Sequence, residues 1–197
     1  DYGHICHPWF SVPGILYGAA FAWNADNVPF DEINQAISLF EYGDREGSFM
    51  KAFVHLTDHE VFPWFNAVRW IEADDPEKRR EQLREINPAQ VPAANAAIDA
   101  ALDELALAAL CMEPDKRPIL RALEISATGA KLFNDIVCWI FAEQEGRGLP
   151  HRNGWELASA LENWYAAYLT QWRAVSKEST LRRTQHLINS YADTLRG

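Results

Sequence analysis

The sequence predicts a mainly α protein: a helical, bundle-like domain preceded by a short strand and loop segment. Three observations predict it. Apolar residues recur at helical spacing from about residue 31 onward. No run after Trp23 alternates apolar with polar residues. Gly3, Pro8, Pro13, Gly14 and Gly18 punctuate an aromatic-rich opening stretch unlike anything that follows. The expected organisation is therefore residues 1–27 as a terminal strand with its loop and residues 28–197 as an all-α domain.

Within the opening stretch, Ile15 to Trp23 is apolar without alternation and lies between Pro13-Gly14 and Asn24-Ala25-Asp26-Asn27. Such a run reads as a strand buried on both faces or as a short buried helix; the flanking breakers favour the strand. After Pro29, Asp31 is the expected N-cap of a helix to about Tyr42, with Ile33, Ile37 and Phe40 on its buried face and Gly43 as its stop. A second helical region covers about Ser48 to Trp70, broken near Pro63, and Asp75-Pro76 opens a short charged helix ending before Asn87-Pro88. An Ala-rich helix follows from about Pro92 to Cys111, with Ile98, Leu102, Leu105 and Leu110 as its stripe.

Glu113-Pro114-Asp115 separates that helix from a longer one ending near Gly146, whose buried set is Ile119, Leu123, Leu132, Phe133, Ile136 and Ile140. Gly129 is its expected weak point. Gly148 to Asn153 forms a loop, and helices from Trp155 to about Val175 and from Thr180 to about Leu195 close the chain. Leu157, Leu161, Trp164, Tyr165, Tyr168 and Trp172 form the apolar face of the first of these. The loops are short, so neighbouring helices are expected to pack antiparallel.

The chain has 197 residues, enough for one good-sized domain and too few for a complete (β/α)8 barrel of ~250 residues. Apolar residues make up 48% and charged residues 23%, which supports a packed core. The formal net charge of −10 repels nucleic acid and anionic membranes, so neither is an expected partner. The longest strongly apolar stretch, Ile136 to Ala142, falls well short of the ~20 residues that span a bilayer. Cys6, Cys111 and Cys138 are too few and too scattered for a disulfide framework, which points to a reducing, cytoplasmic setting. The chain opens on Asp1-Tyr2-Gly3-His4, without an initiator Met or signal-like segment, and reads as a piece of something longer.

Three constellations carry possible chemistry. Asp1, His4, Cys6 and His7 lie within seven residues, but ligands this close rarely build a tetrahedral metal site. They read either as polar groups satisfying a loop or, with Trp23 and Asn24, as part of a sugar pocket, where an aromatic plane stacks on a sugar and polar groups hold its hydroxyls. His55 and His59 have the i, i+4 spacing of a helical zinc site but lack the adjoining Glu of His-Glu-x-x-His. Asp31-Glu32 and Asp103-Glu104 read as solvated faces of amphipathic helices. No metal or other cofactor is expected.

Asp1-x-Gly3-His4 followed by Ser11-Val12-Pro13-Gly14-Ile15-Leu16-Tyr17-Gly18-Ala19-Ala20-Phe21-Ala22-Trp23-Asn24 resembles the end of the catalytic barrel in bacterial glycoside hydrolase family 20, the β-N-acetylhexosaminidases. Trp164 to Arg173 running into Ser179-Thr180-Leu181 is similar in style to that family's closing helices. The motif part covers about the first 24 residues. The resemblance implies that the strand ending at Trp23 is the last of the barrel and that Asp1, His4, Trp23 and Asn24 rim a sugar site. It further implies a retaining exo-glycosidase acting on terminal N-acetylhexosamine, in which a Glu protonates the leaving oxygen and an Asp orients the attacking 2-acetamido group. The family carries that pair as Gly-Asp-Glu, and neither Asp-Glu pair here follows a Gly. The chain alone thus lacks the catalytic acid, and its partners would be the missing barrel portion and an N-acetylhexosamine-containing glycan. The competing reading is a stand-alone helical interaction module with an aromatic N-terminal docking arm.

Overall fold

The computed structural model describes residues 8–23, 29–57, 59–176, 178 and 181–197. Nine α-helices occur among the described residues and no strand does: α1 Ser11–Trp23, α2 Phe30–Tyr42, α3 Ser48–His55, α4 Trp64–Glu72, α5 Pro76–Glu81, α6 Val91–Ala108, α7 Pro118–Trp139, α8 Gly154–Val175 and α9 Leu181–Arg196. The protein is mainly α, and the chain divides into two units, residues 1–57 with 97–124 and residues 58–96 with 125–197. The boundary anticipated at residues 27 and 28 falls in a stretch, residues 24–28, outside the described residues.

The first unit corrects the strand expectation. Residues 11–23 form helix α1, because Leu16, Tyr17, Ala20 and Phe21 recur at helical spacing and pack onto the unit's core. An unalternating apolar run satisfies a buried strand and a helix equally, and only the neighbouring surface decides between them. Helix α2 starts after Pro29, whose φ of −60° and ψ of 137° suit the position before a helix. Asp31 is therefore a first-turn residue rather than the N-cap, and its charge, with that of Glu32, favours the positive end of the helix dipole.

Gly43, at φ 67°, ends α2 in the left-handed conformation that glycine tolerates, and its N–H donates to Leu39 O at 3.2 Å. The buried Asp44 then holds the start of α3: Oδ1 accepts from the Glu46 N–H at 3.0 Å and Oδ2 from the Phe49 N–H at 2.7 Å. Around this corner Ile33, Ile37, Tyr42, Phe49 and Met50 meet Leu105, Met112, Ile119 and Leu123 in one core. Phe40, expected on the buried face, is 83% exposed, and Leu110 is 77% exposed because α6 ends at Ala108 and leaves it beyond the helical stripe.

Tyr42 is buried and its hydroxyl has no hydrogen-bond partner; burial and the nearby Glu41 charge push the phenol up to about 12. Tyr42→Phe is expected to raise stability by ~1 kcal/mol, since an unsatisfied buried hydroxyl costs more than it returns. The phenol keeps its proton to about pH 12 when folded and loses it near 10.0 when unfolded. Its contribution is complete below pH 10 and lost between 10 and 12, so the variant should show a shallower alkaline fall in denaturation midpoint.

The second unit is built on aromatic packing. Asp75 caps α5, accepting from the Glu77 N–H at 2.8 Å, and Asn153 caps α8, accepting from the Trp155 N–H at 2.8 Å. Leu132, Phe133, Ile136 and Ile140 are buried as their spacing predicts, together with Leu157, Leu161, Tyr165, Tyr168 and Trp172 of α8. Helix α9 lies along α8 and also meets α4. Gly129 also makes a close contact: a Cβ there would stand 2.7 Å from Cζ2 of Trp164, whose indole N–H donates to Ile125 O at 2.7 Å. Gly129→Ala should therefore lower stability by ~1–3 kcal/mol through overpacking, although alanine is the better helix former by ~1 kcal/mol. A rise in denaturation midpoint would overturn this assignment.

Candidate functional site

The anticipated sugar-binding residues are only partly described. Asp1, His4 and Asn24 lie outside the described residues, as do Cys6 and His7. Trp23 ends α1 and is 93% exposed, so it is no core residue. The histidine pair does not form the helical arrangement its spacing suggests, because α3 ends at His55 and His59 follows outside any helix. His55 Nδ1 instead meets Glu104 Oε2 at 2.8 Å in an exposed pair. Asp31, Glu32, Asp103 and Glu104 are all exposed. No group of three or more potential metal ligands occurs among the described residues.

Neither of the described cysteines, Cys111 and Cys138, is an activated nucleophile. Burial, with the Asp135 charge beside it, pushes the Cys138 thiol up to about 11. Cys111 is raised as well, by desolvation and then by Glu46 and Asp44.

Sequence reasoning missed Asn134, which is fully buried and uses its whole amide. Its Nδ2 donates to His59 O at 3.0 Å and to Asn95 Oδ1 at 2.9 Å, while its Oδ1 accepts from the N–H groups of Val61 and Phe62 at 2.7 and 3.3 Å. Asn95 Nδ2 in turn donates to Asp135 Oδ1, and Arg152 Nη1 to Asp135 Oδ2, both at 3.0 Å. The signal in the sequence is an amide inside the apolar run Leu132-Phe133-Asn134-Asp135-Ile136. The network secures residues 59–62, which lack regular structure, and its groups bond to one another rather than to an open cavity.

Two clefts differ in character. One, of about 350 Å³, lies between α5 and the π-helical turn Ile140–Gln144, where Arg80, Arg84 and Arg147 are matched by Glu77, Glu81 and Glu145 over Leu83 and Phe141. Its charges balance, and it selects no sign of ligand. The other, of about 450 Å³, is a groove between α1 and α2. Leu16 and Ala20 form one wall, Ile33, Ala36, Ile37 and Phe40 the other, and the polar side chains along it are Glu32 and Glu41.

The groove exists because α1 and α2 meet mainly at one end. There Phe30 lies edge-on to Phe21 at 5.3 Å between ring centres, and the Tyr17 hydroxyl donates to Asn34 Oδ1. Beyond that contact Phe40 stands open. The outer stripe of α1 is Gly14, Ile15, Gly18, Ala19, Ala22 and Trp23, all exposed, with Ile15 67% accessible. This is an exposed apolar surface, and its described residues include no nucleophile or acid–base pair.

No protein-family model matches the chain, and neither a curated protein nor a solved structure matches it. No helix among the described residues is long and apolar enough to cross a membrane.

Proposed function

We propose that this chain is a helical protein-interaction module whose apolar N-terminal arm, α1, docks on a protein partner. The observation that carries the reading is α1 itself: 13 residues without a charge, of which Pro13 alone is buried. A helix of this composition stays wet only at a cost. Each Å² of apolar surface it hides is worth roughly 25 cal/mol, so covering Ile15 and Trp23 is strongly favourable. Their replacement should separate docking from folding. Ile15→Ser with Trp23→Ser is expected to change stability by no more than ~0.5 kcal/mol per site, the range of surface substitutions, and to abolish co-purification of the partner from the native source. Retained partner, or an unfolded variant, would overturn the reading.

The motif Asp1-x-Gly3-His4 and the segment Ser11 to Asn24 favour a second reading, the C-terminal portion of a family 20 exo-glycosidase. In it the partner is the catalytic barrel, and Asp1, His4, Trp23 and Asn24 flank the N-acetylhexosamine. That reading calls for a strand where α1 is helical, which is why it stands second. Under it the isolated chain turns over no chromogenic N-acetylglucosaminide, because a missing general acid removes ~10² to 10⁴ in rate and the barrel supplies the remaining pocket. The mass of the native protein separates the two readings, since only the glycosidase demands several hundred further residues.

A further inference from the structure

We infer that the groove between α1 and α2 receives a basic amphipathic helix of another protein, an inference that rests on the interaction-module reading and names the partner's chemistry. The shape argument comes from the walls. The lining runs along α2 from Glu32 to Glu41, about 13 Å at the α-helical rise, so two to three turns of a helix fit along it. Such a helix would offer large apolar side chains at i, i+4 and i+7 to the floor formed by Ile33 and Ile37, and would cover the exposed Phe40.

The charge argument selects the flanks. Helix α1 contributes no charge, and α2 places Glu32 and Glu41 along the groove. Glu32 is exposed, and Glu41 has a distant partner, Lys116 Nζ at 3.9 Å. The imbalance extends beyond the rim. The unit holding the groove carries 13 Asp and Glu against 5 Lys and Arg, a formal −8 of the chain's −10. Such a field attracts a cationic segment and speeds its encounter. A second copy of this chain would bring another strongly acidic unit against the first. An anionic lipid surface or a nucleic acid would meet the same repulsion.

The test uses the full chain and fluorescein-labelled synthetic peptides of about 16 residues, with leucines spaced three and four apart and either lysine or glutamate at the remaining positions. Fluorescence anisotropy at low salt is expected to give at least about tenfold tighter binding of the lysine peptide, a margin that narrows as salt screens the rim. The double variant Glu32→Lys/Glu41→Lys should reverse the preference. Ala36→Trp, at an exposed position of the groove wall, should abolish binding of both peptides while leaving the melting temperature unchanged. Binding indifferent to peptide charge, or undiminished by Ala36→Trp, would overturn the inference. So would binding of neither peptide, or a concentration-dependent dimer in sedimentation that Ala36→Trp disrupts. None of these results touches the broader reading, which fails separately if Ile15→Ser with Trp23→Ser leaves the native partner bound.

Discussion

Replacing Trp70 by alanine is expected to cost ~3–5 kcal/mol of stability, the range for deleting a fully buried large aromatic side chain. Trp70 is 1% exposed and stacks on Tyr191 with 5.7 Å between ring centres and 20° between planes. Phe133 meets Tyr191 edge-on at 5.4 Å, and the Tyr191 hydroxyl donates to Ala67 O at 2.7 Å, within α4. The indole thus fills the space between α4 and α9 beside the tyrosine that bonds to α4. Chemical denaturation measures the loss. A double-mutant cycle with Tyr191→Phe should show coupling, because removing the indole frees the ring that positions the hydroxyl. A loss below ~1 kcal/mol for Trp70→Ala would mean that the site collapses freely and is not the keystone its packing indicates.

Asn134→Leu is expected to cost ~3 kcal/mol, although it keeps the volume and adds apolar surface. The leucine takes the acceptor away from the buried Phe62 N–H and the half-buried Val61 N–H, and a buried donor so stranded costs ~1–3 kcal/mol. Asn134→Asp supplies an informative contrast. The carboxylate still accepts from Val61 and Phe62 but presents an unwanted acceptor to His59 O and Asn95 Oδ1. Burial raises the pKa of such a carboxyl above its unfolded value, so the folded state binds the extra proton. Stability of the Asp variant should therefore rise as the pH falls toward 4, whereas the Leu variant should show no such gain over the wild type. Equal pH profiles for the two variants would place the cost in packing rather than in hydrogen bonding.

The helices from α2 onward are legible in the sequence because each combines a repeating apolar set with a local stop signal. Gly43, Pro63, Asp75-Pro76, Glu113-Pro114 and Asn153 all stand at boundaries. The six residues expected on the buried face of the long helix through Ile140 are all buried, since a 3.6-residue period and a core on one side leave little choice. The acidic balance is likewise a property of the sequence and needs no fold to be read.

Only the tertiary structure decides the state of Ile15 to Trp23, because an unalternating apolar run is compatible with a helix and with a buried strand alike. Packing on the core of the first unit needs Leu16, Tyr17, Ala20 and Phe21 on one face, and a helix provides that. The same holds for the groove. Phe40 is in step with Ile33 along α2, yet spacing shows which residues share a face and not how far a neighbour extends over it. Asn134 and Gly129 belong to this second class. Their roles depend on His59, Asn95 and Trp164, residues distant in sequence, and such contacts become real only when the chain has folded.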